Sequence, residues 1–98
     1  MLIRIVKLQV KKENIASFER LFDANKKKIR NFRGCKCLVI YKDRNVAGLY
    51  FTYSHWDTEE SLEHYRDSEV FRTVWGEVKK LFRTPPEAWS LDVLETNN

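Results

Sequence analysis

The sequence has little glycine, proline and cysteine, and each scarcity excludes a class of protein. With three glycines and two prolines in 98 residues, the chain is neither fibrous nor disordered. No glycine-rich phosphate loop is present. No apolar run approaches membrane-spanning length, and charge interrupts the alternating start, which argues against a signal peptide. We therefore expect one domain, residues 1–98, that is cytoplasmic and does not bind a membrane.

The two cysteines, Cys35 and Cys37, are separated by one residue in a predicted strand. Side chains two apart in a strand share a face, so both thiols are expected to point to one side and to be poorly placed to bridge each other. Because no Cys or His stands at zinc-ligand spacing, no metal site is predicted. We interpret them as small buried groups in a reducing compartment.

Charge is divided unevenly along the chain. Residues 1–47 carry 13 basic and 4 acidic side chains, a net +9, and residues 48–98 carry 5 and 10, a net −5. A nucleic-acid-binding protein would gather its basic groups beside exposed aromatics or in a known module, and neither signature is present. We expect no nucleic-acid partner, and interpret the halves as elements that pack together within a domain or across a dimer.

Hydrophobic spacing predicts four strands and two helical regions. Apolar positions at helical spacing predict one helix over 14–32, capped by Asn14, and a broken one over 58–66 and 69–82. Asp57 or Thr58 is expected to start the first part of the broken helix, and Ser68 to cap the second. The predicted strands are the alternating segments 2–10, 35–42, 48–56 and 88–94. The order β-α-β-β-α-β predicts an α+β, ferredoxin-like fold with an antiparallel four-stranded sheet and a broken second helix.

Aromatic residues are abundant, with three Trp, four Tyr and six Phe for a small core. Both faces of the predicted strands are apolar, and the helices of one chain can cover only one of them. The strand aromatics are Tyr41, Tyr50, Phe51, Tyr53 and Trp89. Because the second face would be a large apolar patch on a monomer, we predict a homodimer joined sheet to sheet.

Several short motifs, in a fixed order, carry a resemblance to a known family. They are Gly34-Cys35 after the first helix, the strand end Phe51-Thr52-Tyr53-Ser54-His55-Trp56, and the segments Ser61-Leu62-Glu63-His64-Tyr65 and Ser68-Glu69-Val70-Phe71. Through these residues, and over nearly its whole length, the chain resembles the antibiotic biosynthesis monooxygenase domain family. The resemblance implies a ferredoxin-like protomer, a dimeric α/β barrel and oxygen-dependent chemistry on quinol-like aromatic compounds or on haem.

The haem-degrading members of this family are similar to one another in the pattern Ser-x-x-x-Trp-x-x-Ser-x-x-Phe-x-x-x-His, whose His ligates iron. With this pattern laid on Ser61, Ser68 and Phe71, the Trp position holds Tyr65 and the ligand position holds Trp75. An indole N–H is a donor only and cannot be an axial ligand. The sequence therefore disfavours haem degradation.

The quinone-forming members need no metal or flavin, because an easily oxidised phenolate gives electrons directly to oxygen, and we accordingly expect no cofactor. The resemblance implies an aromatic slot of Trp56, Phe71 and Trp75, lined also by Tyr65. Thr52, where those members have Asn, or Tyr65 would donate a hydrogen bond to the phenolic oxygen. The alternative interpretation of these rings is ordinary core packing.

His64 enters only through the family pattern, as an outside candidate for proton transfer, and its alternative is a solvated surface position. The resulting prediction is a monooxygenase acting on a small aromatic or quinol-like compound. The competing prediction is a non-catalytic dimeric module that binds a small ligand or only supports assembly. An empty ring-lined cavity with an inward polar group would favour the enzyme, and a filled core the module.

Overall fold

A computed structural model describes residues 1–97 and contains four strands and three α-helices in that range. The strands are β1 (Leu2–Gln9), β2 (Cys35–Lys42), β3 (Leu49–Trp56) and β4 (Glu87–Leu91), and the helices are α1 (Ile15–Arg30), α2 (Glu59–Arg66) and α3 (Glu69–Val78). Among these helices, none has the length and apolar character needed to cross a membrane. The order of these elements confirms the predicted β-α-β-β-α-β fold, and the second helical region is divided into α2 and α3, as predicted.

The strands form one antiparallel sheet in the order β2-β3-β1-β4. Strand β1 is central and pairs with β3 over its whole length, from Leu2 opposite Trp56 to Gln9 opposite Leu49. Its other edge pairs with the shorter β4. This is the ferredoxin-like arrangement, and the sheet is open, with β2 and β4 at its two edges.

The helices cover one face of the sheet, where the even-numbered residues of β1 and β3 point. The main core cluster lies there and includes Leu8, Val10, Phe18, Ile29, Tyr50, Val74, Val78 and Phe82. A second cluster joins Trp56 at the end of β3 to Cys35 and to Leu62 of α2. The cavity described below lies between this face and the helices.

The other face of the sheet is also apolar, as the alternation predicts, and no helix of the described chain covers it. Its large apolar side chains are Ile3, Ile5, Val39, Tyr41, Leu49, Phe51, Tyr53, Trp89 and Leu91. Three of them have large exposed fractions, 53% for Tyr41, 43% for Trp89 and 42% for Leu91.

Strand β2 departs from simple alternation at its start. The pairing register shifts between Cys35 and Cys37, so that Cys35 lies opposite Trp56 and Cys37 opposite the adjacent His55. The extra residue, Lys36, makes a β-bulge. The bulge puts Cys35 in the helix-facing core and Cys37 on the opposite face, so the prediction that both thiols share a face is wrong. Both are free thiols.

The helix ends agree with the predicted caps in two of three cases. Thr58 and Ser68 each accept a hydrogen bond from the backbone N–H three residues further on, at 3.1 Å, and these bonds start α2 and α3. Asn14 makes no such bond, because its side-chain amide donates instead to the carbonyl of Leu81, at 3.4 Å. Helix α3 ends at Val78, earlier than predicted, and a 3-10 turn follows it.

Gly34, between α1 and β2, occupies a position that only glycine tolerates. Its φ is +91°, and its carbonyl accepts a hydrogen bond from Asp57 N at 2.9 Å. A Cβ placed on Gly34 would lie 2.5 Å from Ser61 Oγ and 2.7 Å from Asp57 Oδ1. The Gly-Cys motif therefore has a physical reason, which is the close approach of this turn to the start of α2.

Candidate functional site

A cavity of about 260 Å³ lies between the helix-facing side of the sheet and the helices. Much of its wall is aliphatic or aromatic, with Leu8 from β1, Phe18 from α1, Leu62 from α2 and Val78 from α3 among the lining residues. Ligand sites usually measure about 300–1,000 Å³. The cavity of this protein lies just below that range, so it suits a compound of one or two rings rather than a large polycycle.

A continuous row of rings forms one wall of the cavity, and it contains all four residues predicted for the aromatic slot. Trp56 stacks on Tyr65 with ring centroids 5.0 Å apart, and Tyr65 meets Phe71 edge-on at 5.2 Å. Phe71 in turn stacks on Trp75 at 5.6 Å. Capping by Ser68 fixes the start of α3 and so places Phe71 and Trp75 on the helix face that meets the cavity.

Tyr65, near the end of α2, brings a polar group to this wall. Burial, with a smaller contribution from the nearby Cys35 thiol, raises the pKa of Tyr65 above its usual value. The phenol therefore stays protonated at neutral pH and acts as a hydrogen-bond donor. Among the described residues its hydroxyl has no hydrogen-bond partner, and Tyr65 is a lining residue of the cavity, which makes it a candidate donor to a ligand there.

Strand β3 contributes Thr52, Ser54 and Trp56 to the cavity at alternate positions. The Trp56 Nε1–H donates to Ser54 Oγ at 3.0 Å, which satisfies the indole N–H within the strand and leaves the Ser54 O–H as a donor. Thr52, half-buried and opposite Val6 of β1, is a second β3 hydroxyl that lines the cavity and can donate to a ligand.

Arg4 and Arg66 also line the cavity, and the sequence analysis did not identify them as site residues. Arg4 lies on the helix-facing side of β1, where Nη1 donates to Ser90 Oγ at 2.9 Å. Burial first, and then the positive charge of Arg66, lower the pKa of Arg4. The signal was present in the sequence, because alternation along β1 puts residue 4 on the same face as Val6 and Leu8.

The positive charge of this pair is not balanced by carboxylates at the cavity. No aspartate or glutamate is among the lining residues, and within residues 1–97 neither arginine forms an ion pair. Arg66 is exposed and Arg4 is half-buried, so the pair runs from the mouth of the cavity inward. The cavity therefore favours a ligand with negative charge.

The structure does not bring His64 to this site. His64 is exposed, and it is absent from the described lining of the cavity, although it precedes Tyr65 in α2. Adjacent helix residues point about 100° apart, which explains why one faces solvent and the other the cavity. Its predicted part in proton transfer stays a prediction. In residues 1–97, His, Cys, Asp and Glu side chains form no group of three or more that could hold a metal ion.

Comparisons with known proteins agree with this architecture. A family model described as antibiotic biosynthesis monooxygenase matches residues 1–75. A crystal structure of an antibiotic biosynthesis monooxygenase aligns with a TM-score of 0.91 and 19% identity, over 97% of this chain and 100% of that chain. A conserved protein from Methanosarcina mazei Go1 aligns with a TM-score of 0.86 and 22% identity, over 93% and 91% of the two chains.

A third structure, of a protein from Mycobacterium tuberculosis, aligns with a TM-score of 0.88 and 18% identity, over 99% of this chain and 98% of that chain. At these identities the likeness to solved structures is one of fold. No protein with a curated description matches the sequence.

Proposed function

This chain belongs to the antibiotic biosynthesis monooxygenase family, and from that membership we propose that it transfers one atom of O2 to a small aromatic or quinol-like compound without a cofactor. The observation that carries the proposal is the ring-lined cavity with the hydroxyls of Thr52 and Tyr65 on its wall. A core filled at this place would have favoured the competing non-catalytic module.

The proposed reaction needs no reductant other than the substrate. With a hydroquinone, one oxygen atom of O2 becomes a new ring hydroxyl, the ring is oxidised to a quinone, and the other oxygen atom leaves as water. All four electrons that reduce O2 come from the ring. The protein must orient the ring and favour its phenolate, which is the form that O2 oxidises.

The cavity offers groups for both tasks. The Trp56, Phe71 and Trp75 rings provide flat surfaces against which an aromatic substrate stacks. Tyr65 and Thr52 would donate hydrogen bonds to the phenolic oxygen, and donors aimed at a negative oxygen stabilise it most where water is excluded. The net positive charge of the cavity lowers the pKa of a bound phenol.

Oxygen uptake with a panel of hydroquinones tests the proposal. We expect uptake with at least one member, and one atom of labelled O2 in its product. Tyr65→Phe is expected to lower kcat/KM about 100-fold, the usual cost of losing one donor to an oxyanion. Tyr41→Phe, on the far face of the sheet, is the matched control and should leave it unchanged. No uptake with any member would contradict the proposal for this substrate class and favour the ligand-binding or assembly module.

The sequence-based role of His64 has a separate test. Because His64 is exposed and outside the described lining, we expect His64→Ala to keep the activity of the unmodified chain. A large loss of kcat in His64→Ala, with the fold intact by circular dichroism, would instead support its predicted part in proton transfer.

Haem degradation is disfavoured by the residues of the cavity. Trp75 occupies the position that the resemblance assigns to an axial histidine, and the described lining contains no His, Cys or Met. A titration with haem, followed in the Soret region, should show no tight binding. A tight complex would contradict this part of the proposal.

We also propose that two protomers pack through the exposed sheet face. Tyr41, Trp89 and Leu91 leave about half of their surface exposed there, and apolar patches of this kind usually mark interfaces. Light scattering should give a dimeric mass, and Trp89→Glu should shift it toward the monomer. A monomeric mass for the unmodified chain at micromolar concentration would contradict the proposal.

The cytoplasm is the compartment we propose for this protein. Both cysteines are free thiols, and the bulge at Lys36 separates them across the sheet, which suits a reducing environment. Finding the protein in a secreted fraction of its source cells would contradict this assignment.

A further inference from the structure

Two arginines without carboxylate partners share a small aromatic cavity, and this combination points to the chemistry of the ligand. We infer that the cavity takes a hydroxylated aromatic acid, whose carboxylate binds Arg4 and Arg66 while its ring stacks in the aromatic slot. The inference rests on the proposed function, whose cavity it shares, and it narrows the substrate class from aromatic compounds in general to anionic ones.

Arg4 carries the first step of the argument. Arg4 is half-buried on the helix-facing side of the sheet, and a charge partly removed from water is stabilised by a neighbouring anion. The partner that the structure gives Arg4 is the neutral hydroxyl of Ser90, at 2.9 Å, which uses one of the five donors of a guanidinium. The remaining donors form a planar fork that matches a carboxylate. Arg4 is therefore a charged group that a carboxylate would complete.

Arg66 carries the second step. It lines the same cavity from the end of α2, and its charge is close enough to Arg4 to act on it by repulsion. Two neighbouring cations repel each other until an anion lies between them. Because Arg66 is exposed, it marks the end of the cavity through which the carboxylate would enter.

The spacing along the sheet carries the third step. Arg4 lies opposite Ser54 on β3, and Thr52 is two residues along that strand, a rise of about 7 Å. Arg4, Arg66 and Thr52 therefore line the same cavity within reach of one substituted benzene ring. An acid whose carboxylate binds the arginines can direct a phenolic oxygen toward Thr52, so that the two positive charges match a carboxylate and a phenolate.

Binding of gentisate, a hydroquinone with a carboxylate, tests the inference against its methyl ester, which has the same ring and hydroxyls but no negative charge. Titrations follow quenching of tryptophan fluorescence in oxygen-free buffer, so that no oxidation is required. We expect the acid to bind at least about tenfold more tightly than the ester, since a hydrogen-bonded ion pair is usually worth that factor or more. The preference should shrink in high salt.

Arginine variants show whether the preference comes from the named pair. Arg4→Gln and Arg66→Gln should each reduce the preference for the acid several-fold and leave binding of the ester nearly unchanged. Arg44→Gln removes the same charge from an exposed position outside the cavity and should keep the preference. If Arg4→Gln folds poorly, Arg4→Lys keeps the charge, loses the fork and should bind the acid more weakly than the unmodified chain does.

Equal binding of acid and ester by the unmodified chain would overturn the inference, as would no binding of the acid or a preference that survives in Arg4→Gln and Arg66→Gln. Failure of the proposed function would look different. Gentisate that binds with the expected preference but consumes no oxygen would support the ligand class and count against oxidation of this acid. Oxygen uptake that is equal with acid and ester would support the function and overturn the ligand class.

Discussion

Replacing Gly34 by alanine should destabilise the protein through a contact that no side chain makes at present. At φ +91° a residue with a Cβ costs about 1–2 kcal/mol more than glycine. The new methyl would also overlap Ser61 and Asp57, with built distances of 2.5 Å to Ser61 Oγ and 2.7 Å to Asp57 Oδ1. Relieving such an overlap costs about 1–3 kcal/mol. Alanine recovers about 0.4–1 kcal/mol by restricting the unfolded chain.

The expected net loss for Gly34→Ala is therefore about 1–5 kcal/mol, a large share of the stability of a small domain. Gly76→Ala is the matched control, since this helical glycine has nothing within 4 Å of a built Cβ. There the same substitution should stabilise by about 0.5–1 kcal/mol. Identical mutations should thus move the free energy of unfolding in opposite directions.

Urea unfolding, followed by tryptophan fluorescence and circular dichroism at one fixed protein concentration, measures both variants. The slope of the unfolding free energy against urea should be unchanged, so that the midpoints report stability. If Gly34→Ala unfolds within 0.5 kcal/mol of the unmodified chain, a threshold of about the usual surface effect, the close approach to α2 does not constrain this turn. The explanation given for the Gly-Cys motif would then be wrong.

Two further predictions concern stability. In the folded protein the pKa of Glu19 is lowered first by the hydrogen bond from Tyr50 and then by the nearby Lys42. Its stabilisation is therefore present above the pKa of the unfolded chain and lost as pH falls through the folded value. Tyr50→Phe should lower the free energy of unfolding by about 1 kcal/mol at neutral pH, allowing for the exposure of the carboxylate. It should also flatten the loss of stability at acid pH, which the control Tyr41→Phe should preserve. An unchanged pH profile in Tyr50→Phe would contradict the role given to the hydrogen bond between Tyr50 and Glu19. Ser68→Ala removes the cap of α3 and should lower the free energy of unfolding in urea by about 1 kcal/mol. The control Thr73→Ala, at an exposed position of the same helix, should raise it by a few tenths of a kcal/mol. Equal effects of the two substitutions would count against the capping role of Ser68.

Much of the fold follows from local patterns in the sequence. Alternation in β1 and β3 is regular, and the pairing of these two central strands continues without a shift from Leu2 to Gln9. The caps at Thr58 and Ser68 were predictable because each satisfies backbone groups within its own first turn. Local chemistry sufficed at these places since no distant contact competes with it.

The errors arose where distant contacts decide the outcome. The bulge at Lys36 depends on how β2 pairs with β3, which the spacing of Cys35 and Cys37 does not reveal. Asn14 was expected to cap its helix, but the carbonyl of Leu81, far along the chain, takes its side-chain amide. In the same way the helical pattern through residue 82 does not show that α3 changes to a 3-10 turn after Val78.

The residues of the candidate site were likewise predictable from the sequence only in part. Trp56, Tyr65 and Phe71 were predictable from the motifs that carry the family resemblance, and Trp75 follows one helical turn after Phe71. All four rings line the cavity. Arg4 was overlooked because an arginine in an alternating strand is normally assigned to solvent, whereas its position in the alternation places it inside. His64 shares a motif with Tyr65, yet a motif does not distinguish the two sides of a helix.

The hydrogen bond from Trp56 to Ser54 has a consequence for the range of compounds that the cavity accepts. Since the indole N–H already makes a hydrogen bond at 3.0 Å, Trp56 presents only the carbon surface of its ring to a ligand. Such a surface distinguishes flat molecules from bulky ones but is indifferent to the pattern of substituents. Discrimination then falls to the few polar side chains around it, so a change at one of them could redirect the site to another compound without rebuilding the wall.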